Sequence, residues 1–152
     1  MLSQTTEYAL RLVVQLASHG DQPVTIPELA RTTKIPSDYL AKVLRQLSRA
    51  GLVHSRRGPN GGSVLLRPPE EITVLDVVQA VDPLKRITVC PLGLRSHGGN
   101  LCPLHRRLDQ AIATVEAAFR ASTLAEIVRD PRGSQPLCED PRSRRAVTGG
   151  RR

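Results

Sequence analysis

Residues 25–67 hold the pattern that most narrows the fold: two short helical stretches, a tight turn between them, then a glycine-tipped hairpin. Thr25-Ile26-Pro27-Glu28 has the form of a capping box, Thr at the N-cap and Glu three residues on. It predicts a short helix over 27–33 with Leu29 and Ala30 inward. Lys34-Ile35-Pro36 then turns the chain, and Ser37 is the expected N-cap of a helix over 38–50 that Gly51 ends. Leu40, Val43, Leu44 and Leu47 form its apolar face, which leaves Asp38, Tyr39, Ala41, Lys42, Arg45 and Arg49 outward. The stretches 52–57 and 63–67 read as strands around the turn Gly58-Pro59-Asn60-Gly61-Gly62. A hairpin directly after a helix-turn-helix is a wing.

Charge sharpens this. The chain has 152 residues and a net charge of +8. Residues 31–67 carry Arg31, Lys34, Lys42, Arg45, Arg49, Arg56, Arg57 and Arg67 against Asp38 alone, a local net charge of +7. Such density on a short folded stretch is a footprint for phosphate. Tyr8, Tyr39 and Phe119 are the aromatic residues and there is no Trp, which argues against a stacking platform for single strands. Ser, His and Asp fall in no spaced nucleophile constellation and no Gly-rich loop joins a strand to a helix, so an enzyme is not expected. No apolar run approaches a membrane span, and Met1–Glu7 lacks the basic start and apolar run of a signal peptide, so the expected location is cytoplasmic.

Outside the winged unit, Tyr8, Ala9, Leu12, Val13, Leu16 and Ala17 predict a helix over 5–18 that Gly20 and Asp21 end. Thr73 is the expected cap of a helix to Val81. Residues 82–102 form a long loop holding Cys90 and Cys102, a length that is usually functional inside a compact domain. Pro103 opens a helix to about residue 122 whose Leu104, Leu108, Ala111, Ile112, Val115, Ala118 and Phe119 make a seam suited to a second helix. The expected partner is a second copy of the chain. Thr123-Leu124-Ala125-Glu126 is another capping box. Residues 131–152, rich in Arg, Pro, Gly and Ser, read as a disordered basic tail, with Cys138 a free thiol inside it. The resulting division is a winged unit over 1–81 with its wing at 52–67, a loop at 82–102, helices at 103–130 and the tail.

Tyr8-Ala9-Leu10-Arg11, Ser37-Asp38-Tyr39-Leu40-Ala41-Lys42, Gly51-Leu52-Val53, Arg57-Gly58-Pro59-Asn60-Gly61-Gly62 and Ile72-Thr73-Val74-Leu75-Asp76-Val77-Val78-Gln79-Ala80-Val81 resemble the Rrf2 family of bacterial winged-helix regulators. The resemblance covers about 1–130. It implies a mainly α fold with a small β wing, a long dimerisation helix, and a homodimer that binds a double-stranded DNA operator as a repressor or activator, with repression expected. On that basis Ser37, Tyr39 and Lys42 are candidates for bases and nearby phosphates, Arg45 and Arg49 for phosphate, and Arg56, Arg57 and Asn60 of the wing for the adjacent minor groove. Family members often have Glu or Gln where this chain has Ala41, so a different target sequence is expected.

Cluster-binding members similar to this chain carry three cysteines in the loop before the long helix. Cys90 and Cys102 match the outer two, and Ser96, beside His97, occupies the middle position. The implied ligand set is Cys90, Cys102, His105 with His97 as alternative, and Glu7 from the partner subunit. Two thiolates, an imidazole and a carboxylate suit a [2Fe–2S] cluster better than [4Fe–4S]. A zinc site, a Cys90/Cys102 thiol switch and loss of the cofactor are the competing readings. From the residues alone, Glu7 is an ordinary i, i+4 partner of Arg11.

Overall fold

The computed structural model describes residues 2–93 and 100–130. The element order is α1 (Gln4–His19), α2 (Ile26–Thr33), α3 (Ser37–Arg49), β1 (Val53–Arg56), β2 (Gly62–Leu65), α4 (Val74–Val81), α5 (Pro103–Ala121) and α6 (Leu124–Arg129). The expected basic tail over 131–152 with its Cys138, and the Ser96-His97 pair, lie outside the described residues.

Helix α1 is the centre of the domain. It packs against α2, α3, α4, α6 and β2. Its buried residues are Thr6, Ala9, Leu12, Val13, Val14, Gln15 and Leu16, a wider arc than the apolar stripe alone predicts. A helix surrounded by neighbours must bury its flanks too, and Gln15 comes inward with them. The core continues through Leu29, Ile35, Leu40, Val43, Leu47, Leu52, Ile72, Val77 and Leu124.

The turn between α2 and α3 is made by Lys34, which closes α2 with a left-handed backbone (φ 59°) and donates its N–H to the Ala30 carbonyl. Helix α3 starts one residue before expectation. Pro36 is the N-cap, its carbonyl accepting from the Tyr39 and Leu40 N–H groups, and Ser37 is the first helical residue with no capping bond. The fixed φ of proline already holds the entry, so a hydroxyl cap is not needed there. The expected box at Thr25 forms in one direction: the Thr25 side chain accepts from the Glu28 N–H, while the Glu28 carboxylate lies 3.9 Å from His19 Nε2. Thr73/Asp76 and Thr123/Glu126 form the reciprocal box in full.

The wing is a two-stranded antiparallel sheet with Val53 opposite Leu65 and Arg56 opposite Gly62. It is shorter than predicted, but it gains a third contact. Val24 and Ser63 exchange both backbone bonds, at 3.0 and 2.8 Å, which docks β2 on the segment before α2. Ser63 is buried there and its hydroxyl meets that of Ser55 at 2.9 Å. Gly62 (φ 156°) is required for this docking, because a Cβ would sit 2.9 Å from Pro23 Cβ and from the Val24 carbonyl.

Helix α5 contrasts with everything else. Over 19 residues it buries none, and Leu104, Leu108 and Val115 are 64, 47 and 42 % exposed. It rests mainly on α4. Helix α6 then returns to the core. The Leu124 N–H bonds to the Ile72 carbonyl, and Leu124 is fully buried against α1.

Candidate nucleic-acid interface and cysteine site

Packing of Leu40, Val43, Leu44 and Leu47 into the core turns the opposite face of α3 to solvent. Ser37, Asp38, Ala41, Lys42, Arg45, Ser48 and Arg49 are exposed there. Tyr39 is half-buried and faces α1: its hydroxyl meets Thr5 Oγ1 at 2.7 Å and its ring sets edge-on against Tyr8 with centroids 5.2 Å apart. The Lys42 ammonium lies 5.4 Å from the Tyr39 ring centroid, a cation–π distance that braces the lysine on the same face. Among the predicted contact residues, Ser37, Lys42 and Arg45 therefore share the open face, and Tyr39 flanks it as a support.

On the wing, Arg56, Arg57 and Asn60 are exposed. Arg57 shares with α3 an open basin of about 450 Å³, lined by Arg45, Arg49 and Arg57, by the apolar Ile26, Ala41 and Leu44, and by the hydroxyls of Ser48 and Ser55. Helix and hairpin thus form one cationic surface. The role of Ile26, 42 % exposed at the first residue of α2, was not legible from the sequence. Its helical neighbours predict nothing about an apolar side chain left in solvent beside α3. Replacing Arg57 by Ala is expected to lower duplex affinity by about 1–3 kcal/mol. Binding isotherms at one fixed salt concentration check this, and an unchanged affinity removes the wing from the interface.

The cysteine loop is held from one side. Asp109 on α5 accepts from Arg86 Nε and Nη2 at 2.7 and 2.6 Å and from the Ile87 N–H at 2.8 Å. Arg86 also faces Glu116 at 3.8 Å. The hydrogen bonds from Arg86 hold the Asp109 carboxyl down to about 2, and the same bonds raise the guanidinium. A depressed carboxylate stabilises the fold fully above its ordinary value of 3.8, and that contribution is lost as pH falls through about 2. The stability gap between the native chain and Asp109→Asn is therefore expected to be constant above about pH 5 and to shrink on acidification toward pH 2. Urea titrations across that range check it, and a gap that persists undiminished at pH 2 contradicts it. Nothing local in the sequence signals this clamp, because its partners lie 23 residues apart.

Cys102 is the N-cap of α5, and its Sγ lies 3.2 Å from His105 Nδ1 one helical turn on. Both are half-buried. Cys90 is also half-buried, in a turn where its carbonyl accepts from the Gly93 N–H at 3.0 Å. Glu7 pairs with Arg11 at 2.5 Å, and Arg11 continues to the Thr33 carbonyl at 3.1 Å. Among the described residues, no three His, Cys, Asp or Glu side chains converge on a metal-sized site within one chain. The geometry thus brings together Cys102 and His105 out of the expected ligands. His97 lies outside the described residues, and Glu7 is expected from the other subunit.

A family model described as Rrf2, iron-dependent transcriptional regulator, matches residues 2–130. The chain belongs to the Rrf2 family. It is 30 % identical over 131 residues to an Aquifex aeolicus protein described as an HTH-type transcriptional regulator, covering 84 % of this chain and 91 % of that one. It is 43 % identical over 81 residues to protein aau3 of Rhizobium meliloti, covering 53 % of each. Among solved structures it is similar to CymR, the global cysteine regulator of B. subtilis, with TM-score 0.70 and 26 % identity over 84 % of this chain and 95 % of that one. T. potens IscR shares the fold with TM-score 0.71 at 24 % identity, over 86 and 87 % of the two chains. Rrf2 membership makes the chain a winged-helix, DNA-binding transcriptional regulator and not an enzyme. No helix among the described residues is long and apolar enough to cross a membrane.

Proposed function

We propose that the chain works as a homodimer on a double-stranded DNA operator, and that an iron–sulfur cluster controls this binding. One observation carries the DNA part: the exposed face of α3 and the docked wing form a single surface bearing Lys42, Arg45, Arg49, Arg56 and Arg57. The exposed Leu104, Leu108 and Val115 of α5 support pairing of two copies. By type, Cys90, Cys102 and His105 fit a [2Fe–2S] group, with a remaining position for the partner subunit's Glu7 or for His97. When bound, such a cluster supplies a redox-sensitive centre at the α5 N-terminus. The chain's own residues do the rest. The N-cap of α5 holds Cys102 against His105, Asp109 fixes the loop through Arg86, and α4 joins the start of that loop to α3.

A second reading is zinc held by Cys90, Cys102 and a histidine, or a thiol switch at Cys90 and Cys102; the contact of Cys102 with His105, a thiol and an imidazole one helical turn apart, supports the zinc form. Anaerobic purification with assay of iron, sulfide and zinc separates the two. Iron and sulfide near about two per chain, lost in Cys102→Ala, support the cluster. Zinc alone supports the second reading, and no metal overturns both metal assignments. Independently, duplex affinity is expected to fall steeply with salt. A flat salt profile overturns the DNA surface.

A further inference from the structure

The middle of the reading helix is apolar where a hydrogen-bonding side chain would be expected. Along the exposed stripe of α3, Ala41 lies one turn after Ser37 and one turn before Arg45. A methyl group there can neither donate to nor accept from a base edge. It is not isolated, however. Ile26 from the start of α2 and Leu44 from the next turn line the same basin as Ala41, and the hydroxyls of Ser48 and Ser55 line it too, beside Arg45, Arg49 and Arg57. The guanidinium groups suit phosphate or acceptor atoms, the two hydroxyls suit a polar edge, and the apolar cluster of Ile26, Ala41 and Leu44 suits an apolar group beside them. In a major groove, the one apolar group on a base edge is the 5-methyl of thymine, and alanine is among the side chains that contact it.

We infer that this basin reads a thymine methyl group, with Ala41 and Ile26 as the contacting side chains and the three arginines holding the flanking backbone. The inference rests on the DNA surface proposed above and names what its centre recognises. A surface lacking a donor or acceptor at this position discriminates by shape and desolvation. It disfavours cytosine, which has no methyl.

The test uses the full chain purified without air. Duplexes are first selected from a randomised pool. Each thymine in the selected site is then replaced singly by deoxyuridine, which removes the methyl and leaves every hydrogen-bonding group. One thymine in each half-site is expected to be sensitive, with about a four-fold loss of affinity per methyl removed. Ala41→Gln is expected to abolish that sensitivity and, on reselection, to shift the same position to adenine, which glutamine pairs bidentately. Unchanged affinity at every deoxyuridine overturns the methyl contact. Sensitivity that persists in Ala41→Gln assigns the methyl to another side chain and overturns the role of Ala41. Failure to select any duplex overturns the DNA surface itself, which is a distinct result.

Discussion

Replacing Leu108 and Val115 together by glutamate is expected to leave the fold intact and to convert the proposed dimer to a monomer. The argument is one of location. Helix α5 buries none of its 19 residues within its own chain, and these two side chains are 47 and 42 % exposed. Charges placed there meet water in the monomer at little cost. In a dimer paired through α5 they would be taken out of water without a countercharge, at a cost of several kcal/mol. A monomer holds one reading helix, so operator affinity should fall by about 10²–10⁴-fold through the loss of the second, linked contact. Sedimentation equilibrium and duplex titration check both halves. A variant that retains the dimer mass places the interface elsewhere.

The second large effect is on stability. Leu124→Ala is expected to cost about 2–5 kcal/mol in urea unfolding. Helix α6 has six residues, too few for a helix to persist alone. Leu124 is its fully buried anchor, and the backbone of the same residue bonds to Ile72. The neighbouring bridge between Thr73 and Thr123 joins the caps of α4 and α6, so loss of the anchor frees the end of α5 as well. A cost below about 1 kcal/mol would mean that the site collapses around the smaller side chain.

The elements were legible because each carries its own local instruction. The face of α3 follows from four apolar residues at helical spacing, and the starts of α4 and α6 follow from Thr73 and Thr123. Gly51, at φ 70°, ends α3 as expected. What the sequence hid is tertiary. Tyr39 looks outward on a helical wheel, yet its hydroxyl is captured by Thr5 from 34 residues away. Arg86 and Asp109 are two charges among many until the loop folds back on α5. The apolar cluster of the basin needs Ile26 of one helix and Ala41 of the next, and no periodicity links them. At the cysteine site, the Cys102-to-His105 spacing was enough to foresee their contact, because one helical turn brings such residues together. Ligands drawn from separate segments or subunits have no such local signature.

The bond pair between Val24 and Ser63 has a consequence for target choice. A wing held at one end by its hairpin alone could flex to meet whatever groove width it found. Here β2 is stitched to the segment that leads into α2, and Gly62 lets the two backbones close to contact. The backbone of the wing is therefore held at a set distance from α3, a fixed gauge. If this surface engages a duplex as proposed, a mismatch between that gauge and the groove is expected to fall on the DNA, whose bending and groove compression cost different amounts in different sequences. Base steps that no side chain touches are then expected to enter the affinity through their stiffness.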